Sequence, residues 1–137
     1  MNPVPTDSLV PHRPPMQWVN TLVDCTDTTA TATACPNEGD LAVADGQVLE
    51  TALVECVAQT VAAALGHRAK ISGKTGWPGV GMLTGVSDFR VQSRTPADKN
   101  LRIEVRELKR LGAMLMIAGV VSCEGQVIAS GELTLYA

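Results

Sequence analysis

The chain has 137 residues, which suits one domain with a substantial core but is small for an enzyme that encloses a whole active site by itself. Its formal net charge of −3 gives no basic footprint for nucleic acid, so we expect no nucleic acid partner. No apolar run approaches about 18 residues without a polar interruption, and the N-terminus lacks a charged leader region, so we expect neither a membrane span nor a signal peptide. The four cysteines form no C-x-x-C pair and predict reduced thiols in a cytoplasmic protein with no metal site and no cofactor.

The first third of the chain predicts a tail and two strands. Residues 1–8 form a Pro-containing disordered or extended tail, and we assign residues 9–137 to a single domain. Residues 17–25 favour a strand. Residues 28–35 alternate Thr and Ala, which predicts a second strand whose narrow Ala face lets a helix approach closely. Residues 36–44 are expected to form a loop.

A long buried helix is predicted over residues 45–66. Asp45 is the expected N-cap and Gly66 the expected C-terminal residue, with His67 just beyond it. Apolar side chains occupy every face of the second half, which is typical of a helix that other elements surround. Glu55 is the single ionisable group inside this run, and Thr51 and Gln59 lie four residues to either side of it.

Four strands are predicted after the helix, over residues 80–91, 101–108, 113–123 and 126–135, in an antiparallel meander. The last two should form a hairpin about a two-residue turn that ends in Gly125. In the second of the four, apolar and charged residues alternate, so one face is core and the other is exposed. A sheet of about six strands has to curl around one all-apolar helix to bury it.

Five short motifs along the domain resemble those of a known protein family. Residues 9–15 match an L-x-P-H-R-x-P opening, residues 55–59 an E-x-x-A-Q helix motif and residues 85–89 a G-x-x-x-F strand, followed by L-x-x-E-V and G-x-V-x-A-x-x-x-L. In this order they resemble the 3-hydroxyacyl-[acyl-carrier-protein] dehydratases of the hotdog fold, closest to the predicted dehydratases of aryl-polyene-type biosynthesis. The resemblance implies an α+β hotdog domain that removes water from a 3-hydroxyacyl thioester, in fatty-acid or polyene biosynthesis.

The same resemblance implies site residues. Glu55 and His12 become the catalytic candidates, and the substrate-binding candidates are Gln59, Thr51, Val48 and Gly85. Dehydration needs a base for the α-proton and an acid for the departing hydroxyl, while backbone N–H groups at the helix start can polarise the thioester carbonyl. Typical family members place a His on the loop before the helix, where it works with the Glu of the other protomer.

This chain departs from that pattern, because residues 39–48 contain no histidine. Asp40 aligns with the missing His, and its ordinary pKa makes it a poor substitute for an imidazole near neutral pH. Each candidate also has a structural alternative. Glu55 can bond a backbone amide or Arg, His12 can be structural, and Asp40 and Asp45 suit a loop and a cap. Gln59 is either a hydrogen-bond partner of Glu55 or an exposed residue at a dimer seam.

The partners follow from the same reasoning. The substrate is an acyl carrier protein or coenzyme A thioester, and Arg68 and Lys70 are candidates for docking an acidic carrier protein. A free sheet edge predicts a homodimer, or a heterodimer with a related hotdog subunit. Two further functions stay open: a catalytically weak partner subunit of a dehydratase heterocomplex, and a hotdog acyl thioesterase.

Overall fold

The structure is a computed structural model that describes residues 1–10, 16–73 and 82–136. Within these residues the chain forms one long α-helix, a short 3-10 turn at Thr6–Ser8 and nine strands. The strands before the helix are β1 (Val4–Pro5), β2 (Val19–Cys25), β3 (Thr29–Ala34), β4 (Val43–Ala44) and β5 (Gln47–Val48). The helix α1 spans Glu50–Ile71, and after it come β6 (Met82–Val91), β7 (Leu101–Leu111), β8 (Met114–Cys123) and β9 (Gln126–Tyr136).

Seven of these strands form one antiparallel sheet in the order β1-β2-β3-β7-β8-β9-β6. The predicted meander is wrong for β6, which pairs with β9 and not with β7. The edge of β7 that β6 would have occupied is taken by β3, in continuous register from Thr29 opposite Arg106 to Ala34 opposite Leu101. Part of the expected tail also joins the sheet, since Val4 pairs with Leu22 of β2.

The predicted helix exists, but both of its predicted ends are wrong. Asp45 is not the N-cap, because Asp45 and Gly46 have φ values of 53° and 74° and form the two-residue turn between β4 and β5. The N-cap is Leu49, and the helix continues through Gly66 to a C-cap at Ser72. Gly66 is needed for close packing instead: a Cβ there would lie 3.1 Å from the carbonyl carbon of Leu9 and closer still to its oxygen. His67 therefore lies inside the last turns of α1.

The core lies between α1 and the inner face of the sheet. All nine helix residues from 56 to 64 are buried, and α1 contacts β2, β3, β6, β7 and β8. The predicted Ala face of β3 and the predicted apolar face of β7 both point into this core. In β8, Gly119 admits the helix, since a Cβ there would lie 2.5 Å from Cγ1 of Val57. A sheet wrapped around one buried helix is the hotdog fold expected from the sequence, with seven strands rather than about six.

Candidate active site

The predicted polar stripe on α1 runs from solvent into the core. Thr51 is exposed, Glu55 is half-buried and Gln59 is fully buried. Residues four apart on a helix lie on one face, so the three side chains follow one another down this face. The stripe therefore leads from the start of the helix, past the carboxylate of Glu55, to a buried amide.

Gln59 binds the chain segment that enters β2. Its Oε1 accepts the N–H groups of Trp18 and Val19 at 3.0 and 3.2 Å, and its Nε2 donates to the carbonyl oxygen of Met16 at 2.8 Å. The same Nε2 lies 3.5 Å from Oε1 of Glu55. Because the amide oxygen meets N–H groups and the amide nitrogen meets carbonyl and carboxylate oxygens, the orientation of the amide is fixed by its surroundings. Of the two alternatives left open for Gln59, the exposed position at a dimer seam is wrong and the contact with Glu55 is present. Gln59 is a buried clamp beside Glu55.

His12 belongs to residues 11–15, which lie outside the described residues. The chain on either side of this segment is fixed to the same face of α1. Before it, the backbone of Leu9 packs on Gly66; after it, Met16 accepts the hydrogen bond from Gln59. Gly66 and Gln59 are two helical turns apart, roughly 10 Å along the axis.

The two aspartates before the helix have structural roles. The Oδ2 of Asp40 accepts the N–H of Asn37 at 2.7 Å, and the N–H of Asp40 donates to the carbonyl oxygen of Asn37 at 3.0 Å. The Asp40 carboxylate thus closes the turn over residues 37–40. Asp45 occupies the β4–β5 turn described above.

A cleft of about 320 Å³ opens at the start of α1. We call it the N-terminal cleft; its walls are the β4–β5 hairpin, the first turn of the helix and the segment that runs from Val91, the last residue of β6, to Thr95. Val48, one of the predicted substrate-binding residues, lines it together with Leu53. Leu53 and Glu55 are roughly 200° apart around the helix, so this cleft lies on the opposite side of α1 from Glu55.

Gly85 lies far from this cleft. It is half-buried in the edge strand β6 opposite Thr134, while the cleft begins at Val91, six residues further along the same strand. At the rise of an extended strand this separation is roughly 20 Å. The structure thus brings Thr51, Glu55 and Gln59 together and places Val48 in a separate cleft, which Gly85 does not line.

The two predicted docking residues differ in their surroundings. The Nε of Arg68 donates to the carbonyl oxygen of Thr26 at 2.8 Å, and its Nη2 lies 3.4 Å from that of Thr29, so this half-buried side chain closes the β2–β3 turn. Lys70 is exposed in the last turn of the helix. A role of either residue in carrier docking stays a prediction.

The thiols of Cys56, on α1, and Cys25, at the end of β2, both have raised pKa values. Complete burial raises the pKa of the Cys56 thiol to about 12, with the neighbouring charge of Glu55 adding to the effect. Burial also raises the pKa of Cys25, against the opposing charge of Arg68. Among the described residues no three His, Cys, Asp or Glu side chains form a group that could hold a metal ion.

Comparison with known proteins identifies the family. The model of the ApeP-like family, described as ApeP dehydratase, matches residues 4–137. The chain belongs to the ApeP-like dehydratase family. A search of curated proteins found no match. Over the parts of the chain that the structure describes, no helix has the length and apolarity needed to cross a membrane.

Solved structures share the fold of this ApeP-like chain. It is similar to a chain of the dehydratase heterocomplex ApeI:P from Xenorhabdus doucetiae, with a TM-score of 0.87, 23% identity, and 97% of this chain and 90% of that chain covered. It is also similar to the uncharacterized protein PH1136 from Pyrococcus horikoshii, with a TM-score of 0.70, 14% identity and coverage of 97% and 93%. A hypothetical thioesterase with coenzyme A from Streptococcus pneumoniae gives a TM-score of 0.65, 10% identity and coverage of 84% and 85%.

Proposed function

We propose that this ApeP-like chain dehydrates 3-hydroxyacyl thioesters carried on an acyl carrier protein, and that it does so as one subunit of a hotdog pair. The reaction removes the α-proton and the β-hydroxyl and leaves a 2-enoyl thioester. The family membership supports the reaction class. The observation that carries the assignment to residues is the position of Glu55, half-buried on α1 beside the Gln59 clamp.

Glu55 is the proposed acid or base of this reaction, and His12 is its proposed partner. The Gln59 clamp supports the pairing, because it fixes Met16, four residues after His12, next to Glu55. General acid–base catalysis requires one group to reach the α-proton and the other to reach the β-hydroxyl of the same substrate. Anchoring the two chain segments close together on α1 favours such an arrangement. The N–H groups at the start of a helix suit the negative charge that develops on the thioester oxygen.

The proposed assembly is a heterodimer with a related hotdog subunit. Two observations support it. Within the part of the chain that the structure describes, β6 pairs with β9 along one side and is the last strand of the sheet on the other. This leaves ten residues of edge for a partner strand. The loop before α1 contains no histidine, so a partner that supplies one completes the pattern of the wider family. The similar ApeI:P structure is itself a heterocomplex.

A second candidate function follows from the same loop. Without its own loop histidine, this chain can serve as a subunit that contributes little chemistry and shapes the acyl site of a catalytic partner. The thioesterase alternative is weaker, since the family model that matches the chain is that of a dehydratase.

Activity measurements separate these functions. Hydration of a 2-enoyl thioester on a carrier protein is followed by loss of enoyl absorbance, for the chain alone and with a hotdog partner, and again with the coenzyme A thioester. We expect Glu55→Gln and His12→Ala each to lower kcat by about 100-fold or more. The matched controls Glu124→Gln and His67→Ala, a surface turn residue and a helix residue, should keep the rate. Activity that requires the partner and survives both variants would establish the partner-subunit function instead.

A further inference from the structure

The outer face of the sheet, which points away from α1, carries an apolar strip along β8. Its outward positions Met114, Met116, Ala118 and Val120 are all apolar and half-buried, while the residues between them are buried in the core. We call these four residues the outer strip. The exposed face of an antiparallel sheet is ordinarily polar, and the neighbouring β7 follows that rule with charged residues at positions 102, 104 and 106. An apolar strip bordered by charges is typical of an interaction surface.

Two charges of opposite sign border the outer strip at the same level. Arg106 of β7 and Glu132 of β9 both lie directly opposite Ala118, one on each side, so roughly two strand spacings or 10 Å separate them. Among the described residues neither side chain forms an ion pair or a hydrogen bond, whereas four other charged residues of β7 form two ion pairs within their own strand. The outer face thus presents a positive charge on one side of Ala118 and a negative charge on the other.

A second copy of the chain complements this charge pattern. If two outer faces meet across a twofold axis that runs along β8, β7 of each copy lies over β9 of the other. Because Arg106, Ala118 and Glu132 form one row across the strands, Arg106 of each copy then faces Glu132 of the other. An axis that runs across the strands places β7 over β7 instead and brings the two Arg106 side chains together. Charge therefore favours the first orientation and opposes the second.

The dimensions of the face suit this arrangement. Sheets that pack face to face lie about 10 Å apart, a gap that an arginine and a glutamate extended towards each other can span. A groove of about 370 Å³ lies on the same face, lined by Arg106 and Ala118 and by Thr29 and Thr31 of β3. In the favoured orientation β9 of the second copy lies over this side of the face, so its Glu132 has space beside Arg106.

We propose that the outer face binds a second copy of this chain around Ala118, with Arg106 of each copy paired to Glu132 of the other. The mixed charges around the outer strip do not favour a strongly acidic or basic partner, whereas they match themselves under a twofold axis. The inference is independent of the proposed function, because it uses neither α1 nor the β6 edge. In the proposed assembly this contact joins two hotdog pairs back to back, so that the assembly contains two copies of this chain.

Charge exchange tests the proposal. Sedimentation velocity of the full chain, alone and with the hotdog partner, is measured over a concentration series for the wild type, Arg106→Glu, Glu132→Arg and the double variant. Each single exchange replaces two attractive contacts with two repulsive ones, so we expect the dissociation constant of the back-to-back contact to rise about tenfold or more. The assembly should then fall to half its mass at concentrations where the wild type stays associated. The double variant restores both contacts with reversed polarity and should recover the wild-type mass.

The controls Arg94→Glu and Glu38→Arg reverse exposed charges that lie outside the strands, and they should keep the wild-type mass. The wild-type association should also weaken as the salt concentration rises, which needs no variant. Three results overturn the inference: a wild type that never exceeds the mass of a single pair, single exchanges that leave the mass unchanged, or a double variant that does not recover it.

Enoyl hydration by the same variants, with the partner present, separates this inference from the proposed function. Arg106 and Glu132 lie across the sheet from α1, so the rate should stay near that of the wild type. Masses that follow the charge exchange in a protein without turnover support the outer-face contact and refute the proposed function. Turnover in a protein whose mass ignores the charge exchange refutes the contact and supports the function.

Discussion

Gly66→Ala sets two physical effects of opposite sign against each other. Alanine stabilises a helix interior by about 1 kcal/mol relative to glycine, so helix propensity alone predicts a more stable protein. The added methyl group, however, would lie 3.1 Å from the carbonyl carbon and 3.3 Å from the Cα of Leu9, and closer still to the carbonyl oxygen. These are backbone atoms, which cannot rotate away as a side chain can.

The contact with Leu9 should decide the outcome. Overpacking a well-packed site costs about 1–3 kcal/mol, and here relief requires the backbone of Leu9 to move off the helix. Subtracting the gain in propensity leaves a net destabilisation of about 0–2 kcal/mol, which lowers Tm by a few degrees for a chain of this size. The segment that leads from Leu9 towards His12 loses its anchor on α1 at the same time, so we also expect faster proteolysis of the N-terminal region.

Thermal unfolding by circular dichroism and limited proteolysis measure both effects. The control is Gly85→Ala, where the new methyl group would make an ordinary contact, 3.8 Å from Cβ of Thr134, and should change Tm little. A Gly66→Ala protein that is more stable than the wild type, with unchanged proteolysis, would show that Leu9 does not restrict this position. The reasoning about the anchored segment would then be wrong.

Two further predictions concern buried groups of α1. Gln59→Leu removes the acceptor for two N–H groups and the donor to Met16, so we expect the free energy of unfolding in urea to fall by about 2–4 kcal/mol, while the exposed Gln126→Leu stays near the wild type; an equal loss in both would refute the clamp. Burial raises the pKa of Cys56 to about 12, above that of the thiol in the unfolded chain. Between about pH 9 and 12 the folded protein therefore keeps a proton that the unfolded chain releases. The free energy of unfolding should be unaffected by this thiol below about pH 9 and should fall as the pH rises from there towards 12. Unfolding at about pH 8 and 10 should show a smaller loss in Cys56→Ala, and an unchanged loss would contradict the burial.

The strands were predictable because their sequence periods are local and clear. Thr and Ala alternate through β3, and apolar and charged residues alternate through β7, and both patterns place the correct faces in the core. The Glu124-Gly125 turn has φ values of 52° and 80° and joins β8 and β9 as predicted. A turn whose backbone geometry is set by its own residues can therefore be predicted from the sequence alone.

The predictions were wrong where one residue fits two local structures equally well, or where its role depends on a contact with a residue far away in the sequence. Asp45 suits both an N-cap and the first position of an Asp-Gly hairpin, and the Gly46 that follows it is the signal that favoured the hairpin. Gly66 suits a helix end by composition, but its real role depends on Leu9, which is far away in the sequence. The place of β6 was equally hidden, because no local pattern states which edge of the sheet a strand will join.

The same distinction applies to the candidate site. Spacing on the helix correctly placed Thr51, Glu55 and Gln59 on one face and offered Glu55 as a partner of Gln59. It could not show the other partners of the Gln59 amide, because they are some forty residues away in the sequence. The polar atoms of Gln47 and Thr95 carry no sequence motif, and only the packing shows that they are buried without a hydrogen-bond partner among the described residues. Along one helix the fold therefore separates a polar stripe that the motif predicts from a cleft, across the helix, that only the packing reveals.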